Sequence, residues 1–246
     1  MSLPLFLWSS GELPSPGSRA VLTGGEARHA VTVQRLTVGE QVLLSDGRGH
    51  GVIATVTCSS GKDTLELTVG ESVEKQPRKP AVTIVQALPK SERSELAVDL
   101  ATQGGADRIV PWQAERCISK WNNKAAKGVA KWRNQVIASA KQSRRFSVPE
   151  VTELATTAEI EQMIQSIDGV ALLLHEEAAA PFASIDYRDL QDVLLVIGPE
   201  GGLSPSEVER FTNAGAVPVV LGPEVLRTAS AAIVALSALG VLTDRW

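Results

Sequence analysis

Apolar and polar positions alternate at short range in the first third of the sequence, then change rhythm. Between Arg19 and Gly70 the runs Gln41–Ser45, Gly51–Thr57 and Thr64–Val69 are rich in β-branched residues, and the turn sequences Asp46-Gly47-Arg48-Gly49 and Ser60-Gly61-Lys62-Asp63 separate them. Near-alternation broken by Asp-Gly and Ser-Gly turns predicts a small antiparallel β-barrel. Gly47-Arg48-Gly49-His50-Gly51 has the outline of a glycine fingerprint, but strand-like residues follow it, so it reads as a hairpin turn. The polar stretch Val73–Pro80, with prolines at 77 and 80, marks a linker. Domains at 1–72 and 81–246 are expected on either side of it.

Beyond Pro80, apolar runs of strand length alternate with helical stretches. Candidate strands are Val82–Leu88, Arg108–Trp112, Val170–His175, Val193–Ile197 and Val217–Leu221. Candidate helices are Ser91–Gln103, Lys124–Arg145, Thr156–Ile167, Pro205–Ala214 and Thr228–Leu242. This alternation predicts an α/β domain, a parallel sheet with helices on both faces. Ser204-Pro205-Ser206-Glu207 is a helix start: a serine cap, proline in the first turn and a glutamate reaching back. The final helix is small and apolar nearly all round, which predicts burial in the core or against another subunit.

Composition narrows the class. With 246 residues, 43% apolar and 21% charged, the chain can bury a core, and neither disorder nor a fibrous repeat fits. Cys58 and Cys117 stand far apart without metal-ligand spacing, so neither a metal site nor a disulfide framework is expected. The beginning, MSLPLFLWSS, lacks the basic and apolar regions of a secretory leader, and no apolar run approaches membrane-spanning length. A soluble cytoplasmic protein is the expectation. Charge is uneven: residues 81–150 hold twelve basic and six acidic side chains, residues 151–246 four and fourteen. From Arg116 to Pro149 there are nine basic residues and no acidic one, a footprint for a polyanion such as RNA. Trp121, Trp132 and Phe146 interleave with those charges and are candidates for stacking on unpaired bases, although Trp132 fits the buried side of its helix equally well.

Candidate chemistry gathers after the strands. Ile197-Gly198-Pro199-Glu200-Gly201-Gly202-Leu203 lies between a buried strand and a capped helix, where open α/β sheets bind ligands and glycines let backbone approach closely. It matches neither the dinucleotide fingerprint nor the triphosphate loop. Leu221-Gly222-Pro223-Glu224-Val225-Leu226-Arg227-Thr228 with Ser230, and Leu174-His175-Glu176-Glu177, follow two other strands. Three strand-end loops, two containing Gly-Pro-Glu, predict one composite pocket of backbone amides and carbonyls, a surface suited to an adenine edge.

Those loops, with Leu88-Pro89-Lys90 and Gln142-Ser143-Arg144-Arg145, resemble the small-subunit (16S) ribosomal RNA uridine-N3 methyltransferases, the RsmE type of the SPOUT class. The resemblance extends through Arg28-His29, Arg35-Leu36 and Val38-Gly39-Glu40, so it covers nearly the whole chain. It implies a PUA-like first domain, a trefoil-knotted second domain that binds S-adenosylmethionine, and a homodimer acting on ribosomal RNA or the small subunit. Cofactor contacts are then expected at Leu174, His175, Glu176, Ile197, Gly198, Glu200, Gly201, Gly202, Leu221, Gly222, Leu226, Arg227, Thr228 and Ser230. RNA contacts are expected at Arg28, Arg35, Lys90, Arg93, Lys120, Lys131, Lys141, Arg144 and Arg145. Family members commonly read Lys-Ala-Thr-Glu-Leu-Gly where this chain has Leu100-Ala-Thr-Gln103-Gly104-Gly105, and carry a glutamate where Ala229 stands.

Methylation at N3 requires in-line approach and loss of a proton, so positioning is the main demand. Arg227 or Arg145 could stabilise charge developing on the uracil oxygens. Glu200 could accept the proton, offset the sulfonium charge or only shape its turn. A ribose 2′-O target and a non-catalytic RNA-binding assembly factor are the alternatives.

Overall fold

The structure, a computed structural model, describes residues 3–246. The described backbone divides into two compact units, the residues up to Pro77 with Ala140–Val148, and Arg78–Ser139 with Pro149–Trp246.

The first unit is a five-stranded sheet built from β1 (Leu5–Leu7), β2 (Arg19–Thr23), β3 (Gln41–Ser45), β4 (His50–Ser60) and β5 (Thr64–Glu74), ordered β1-β3-β4-β5-β2. Alternation sets its inner face: Leu65, Leu67 and Val69 of β5 are buried while Glu66 and Thr68 face outward. Four strands pair antiparallel as the turns predict, but β1 runs parallel to β3. β5 continues to Glu74, two residues into the segment expected as linker. A short helix, α1 (Gly24–Arg28), runs on into a wide turn at His29–Val33 that periodicity did not reveal. Residues 140–148 return to this unit: the Ser45 hydroxyl donates to the Phe146 carbonyl at 2.8 Å, and Lys141 Nζ stands 2.5 Å from Glu26 Oε1.

The second unit carries β6 (Ala81–Ala87), α2 (Ser91–Gly104), β7 (Arg108–Trp112), α3 (Ala125–Gln142, its last residues counted with the first unit), β8 (Glu150–Val151), α4 (Thr157–Ser166), β9 (Gly169–Leu174), β10 (Ala180–Pro181), β11 (Asp192–Ile197), α5 (Pro205–Asn213), β12 (Val217–Val220) and α6 (Thr228–Leu242). Its seven strands, ordered β10-β12-β9-β11-β6-β7-β8, are all parallel. Central β11 reads Val-Leu-Leu-Val-Ile because both faces are covered, and all five side chains are at most 2% exposed. Each contributes about 1.5–3 kcal/mol through burial. Two-residue β8 and β10 are too short to carry a period and were not predicted.

α6 packs on α2 and touches β11. Its buried face is Ala232, Ala235, Leu236 and Leu239, but Val234, Val241 and Leu242 are exposed. Within one chain the helix is therefore half covered. The buried C-terminal Arg245 ties the chain end to the sheet, donating to the Pro80 and Gly105 carbonyls and pairing with Asp107.

Candidate active site

Register explains how the loops meet. Ile197 at the end of β11 is level with Gln86 of β6 and Leu174 of β9, and Leu174 is level with Val219 of β12. The segments that follow β9, β11 and β12 therefore leave the sheet side by side and enclose a cavity of about 1060 Å³. The carboxyl edge of a parallel sheet is where such folds hold ligands.

The loop after β11 is braced from outside itself. Gly202 sits at φ +69°, a conformation that favours glycine, and a Cβ on Gly198 would lie 3.1 Å from Leu203 Cγ. The Thr228 hydroxyl, at the start of α6, donates to the Gly198 carbonyl at 2.6 Å. Gln86 Nε2 in turn donates to Thr228 Oγ1 at 3.0 Å and to the Ala87 carbonyl at 3.1 Å. Gln86 is 1% exposed, and among the described residues its Oε1 has no hydrogen-bond partner. The backbone N–H of Lys90 donates to Glu200 Oε1 at 3.0 Å, fixing that carboxylate against the segment after β6. Glu207 closes the predicted capping box with Ser204. Its Oε1 also accepts the Glu115 N–H at 2.7 Å, joining the segment after β7 to the start of α5.

The loop after β12 is built differently. Val225 is 75% exposed. Among the described residues no hydrogen bond reaches the carbonyls of residues 222–226. In the third segment, His175 Nδ1 accepts the Glu177 N–H at 3.2 Å, so one ring nitrogen shapes the turn.

Thirteen of the fourteen expected cofactor contacts line this cavity, from Leu174, His175 and Glu176 through Ile197, Gly198, Glu200, Gly201 and Gly202 to Leu221, Gly222, Leu226, Arg227 and Thr228. Ser230 is not among the lining residues; it is the third residue of α6, where its N–H donates to the Arg227 carbonyl. Lys90 and Arg93, expected at RNA, also line the cavity, as do Arg116, Glu177 and Glu224. Lys120 and Lys131 belong to the same unit away from the lining, and Lys131 pairs with Glu95 at 3.3 Å. Arg28, Arg35, Lys141, Arg144 and Arg145 belong to the first unit. Arg35 and Arg144 both hold a positive φ there, 55° and 54°.

Two of the aromatic candidates are corrected. Trp132 is 1% exposed with its Nε1 donating to Ser94 Oγ, and Phe146 is buried against Leu5 and Leu43. Trp132 fills the inner face of α3, because a residue beside charges in a helix is as readily on its buried face as on a stacking platform, and Phe146, beyond the end of α3, fills the core of the first unit. Trp121 stands edge-on to Trp132 at 5.3 Å and covers Gly128.

A parallel sheet with a cavity of ligand size at its carboxyl edge, in a chain that also carries a small β unit, defines an α/β protein of the ligand-binding kind. Comparison with known proteins gives the family. Residues 76–240 match the RNA methyltransferase domain, and residues 22–70 the RNA methyltransferase PUA domain, so the chain belongs to the RNA methyltransferase family. It is similar to the ribosomal RNA small subunit methyltransferase E of Mycobacterium bovis, with 45% identity over 95% of this chain and 90% of that protein. The protein of the same name from Bacillus subtilis is 32% identical over 91% of this chain and 90% of its own length. The crystal structure of a ribosomal RNA small subunit methyltransferase E from Neisseria gonorrhoeae bound to S-adenosyl methionine superimposes with a TM-score of 0.86, at 25% identity and covering 98% of each chain.

Proposed function

We propose that the protein methylates N3 of a uridine in small-subunit (16S) ribosomal RNA, using S-adenosylmethionine held in the cavity between the two Gly-Pro-Glu loops. The observation that carries this reading is the convergence of those loops on one cavity of about 1060 Å³ in an RNA methyltransferase chain. The donor set suits the cofactor. Glycine-rich backbone can approach an adenine edge, and the carboxylates of Glu176, Glu177, Glu200 and Glu224 line a space that takes a cation. Once bound, the cofactor supplies an electrophilic methyl group. The chain's own part is to orient and to manage charge. Arg227 lines the cavity, where its guanidinium stabilises charge developing on the uracil oxygens. Glu200, fixed through the Lys90 N–H, takes the N3 proton or balances the positive charge. The target N3 lies on a Watson–Crick edge, so the uridine must be unpaired or flipped. Lys90 and Arg93 offer phosphate contacts at the cavity.

The residues where this chain departs from its relatives do not favour a non-catalytic reading. Gln103 is exposed and bonds Asp99, Ala229 is the buried second residue of α6, and neither lines the cavity. The proposal includes a trefoil-knotted second unit and action in the cytoplasm; no described helix is long and apolar enough to cross a membrane. It also includes a homodimer, supported by the exposed Val234, Val241 and Leu242 of α6. Catalytic use of Arg145 and RNA contacts by the first unit's arginines belong to the same proposal. The test is methyl transfer from labelled S-adenosylmethionine to small subunits from a strain lacking this gene, with the product nucleoside identified by mass. 3-Methyluridine is expected. Label on ribose, or none, contradicts the reading.

A further inference from the structure

The nine-residue basic run opens with Arg116, which charge alone assigns to RNA. Its geometry differs from that of a phosphate contact. Arg116 Nη1 donates to the Leu203 carbonyl at 3.0 Å and to the Gly201 carbonyl at 3.4 Å. A second observation concerns backbone approach: a Cβ on Gly201 would lie 3.4 Å from both Cβ and the carbonyl oxygen of Arg116. A Cβ there would already stand in van der Waals contact with Arg116, so the two segments leave no room for a larger side chain on that side. The launching point is fixed as well. Ala114 and Cys117 on either side are buried, the Cys117 N–H closes a turn on the Ala114 carbonyl at 3.1 Å, and the neighbouring Glu115 N–H is held by Glu207.

We infer that Arg116 is a positioning residue for the methyl donor, acting through the carbonyls of the loop after β11. The inference rests on the proposed cofactor reading of that loop. Arg116 holds the far end of the loop as Thr228 holds the near end at Gly198. With the Gly198, Pro199, Gly201 and Leu203 carbonyls all accepting from protein donors, the loop keeps one shape before any ligand arrives. Preorganisation of this kind raises affinity by removing an ordering cost. A guanidinium suits the task because it remains charged and its planar Nη1 presents two N–H groups in fixed directions, which the rotating ammonium of lysine does not.

The experiment compares wild type, Arg116→Ala and Arg116→Lys in three measurements. These are calorimetric titration with S-adenosylmethionine, RNA binding at several salt concentrations with saturating cofactor, and hydrogen exchange across residues 199–204. The alanine variant should bind S-adenosylmethionine at least about tenfold more weakly, the worth of a lost charge-assisted hydrogen bond. Exchange in the loop should rise, and the salt slope of RNA binding should stay as in wild type. Lysine, which keeps the stem and one donor and so preserves the local packing, should restore part of the affinity. Unchanged cofactor affinity in both variants, with RNA binding weakened and its salt slope reduced by about one, would overturn the inference and return Arg116 to the RNA footprint. A wild-type chain that binds no S-adenosylmethionine would instead defeat the functional reading on which the inference stands.

Discussion

The tripeptide Gly-Pro-Glu occurs twice over the same cavity, at residues 198–200 and 222–224, in two mechanically different settings. The first copy is clamped: Thr228 holds the Gly198 carbonyl, Arg116 the Gly201 and Leu203 carbonyls, and Lys90 the Glu200 carboxylate. Carbonyls in the second copy receive no hydrogen bond among the described residues, and Val225 beside it is 75% exposed. The difference lies outside the repeated residues. It arises because the segments after β6 and β7 and the first residue of α6 bring Lys90, Arg116 and Thr228 to the first copy, whereas no described donor is aimed at the carbonyls of the second. One wall of the cavity is thus braced by donors from other segments, and the other is not.

The largest effect that would sharpen this contrast is at Gly201. Leucine there must displace Arg116, whose Cβ is already at contact distance, and calorimetry should find no S-adenosylmethionine binding. Retained affinity would remove the loop from the cofactor site. Next is Thr228→Val, which takes the hydroxyl donor from the part-buried Gly198 carbonyl and leaves Gln86 Nε2 only its bond to the Ala87 carbonyl. Denaturant melts should show a loss of about 2 kcal/mol, and Thr228→Ser should keep most of the wild-type stability. A smaller effect separates the two glutamates: Glu200→Ala should cost about tenfold in methyl transfer and Glu224→Ala no more than about threefold, since only Glu200 is fixed by a backbone donor. Equal losses would break the comparison. In the unliganded protein, amides of residues 222–226 should exchange faster than those of 199–204, and cofactor should narrow the gap. The smallest test uses the thiols. Burial pushes the Cys117 thiol up, so its thiolate appears only as pH climbs past the ordinary cysteine range. At mildly alkaline pH iodoacetamide should label the half-exposed Cys58 first, with Cys117 following on unfolding.

Much of the second unit is legible in the sequence because its signals are local. The unbroken apolar run of β11 announces a buried strand, and Ser204 with Glu207 announces a helix three residues apart, as found. The position of the glycine loop between them then points to a ligand. What stayed hidden depends on distant partners. Gln86 meets Thr228 across 142 residues and Arg116 meets Leu203 across 87, separations on which periodicity is silent. The basic run read as one surface is shared between two units, because residues 140–148 return to the first. Trp132 was ambiguous for a different reason: a helix with Lys131 and Arg133 beside it still needs a buried face, and that tryptophan fills it.

The most direct test is a crystal structure of the chain with S-adenosylmethionine. The cofactor should lie between residues 198–203 and 221–228, with the first segment unmoved and the second drawn in over it. Density for the cofactor elsewhere, or a rearranged first segment beneath it, would contradict the account.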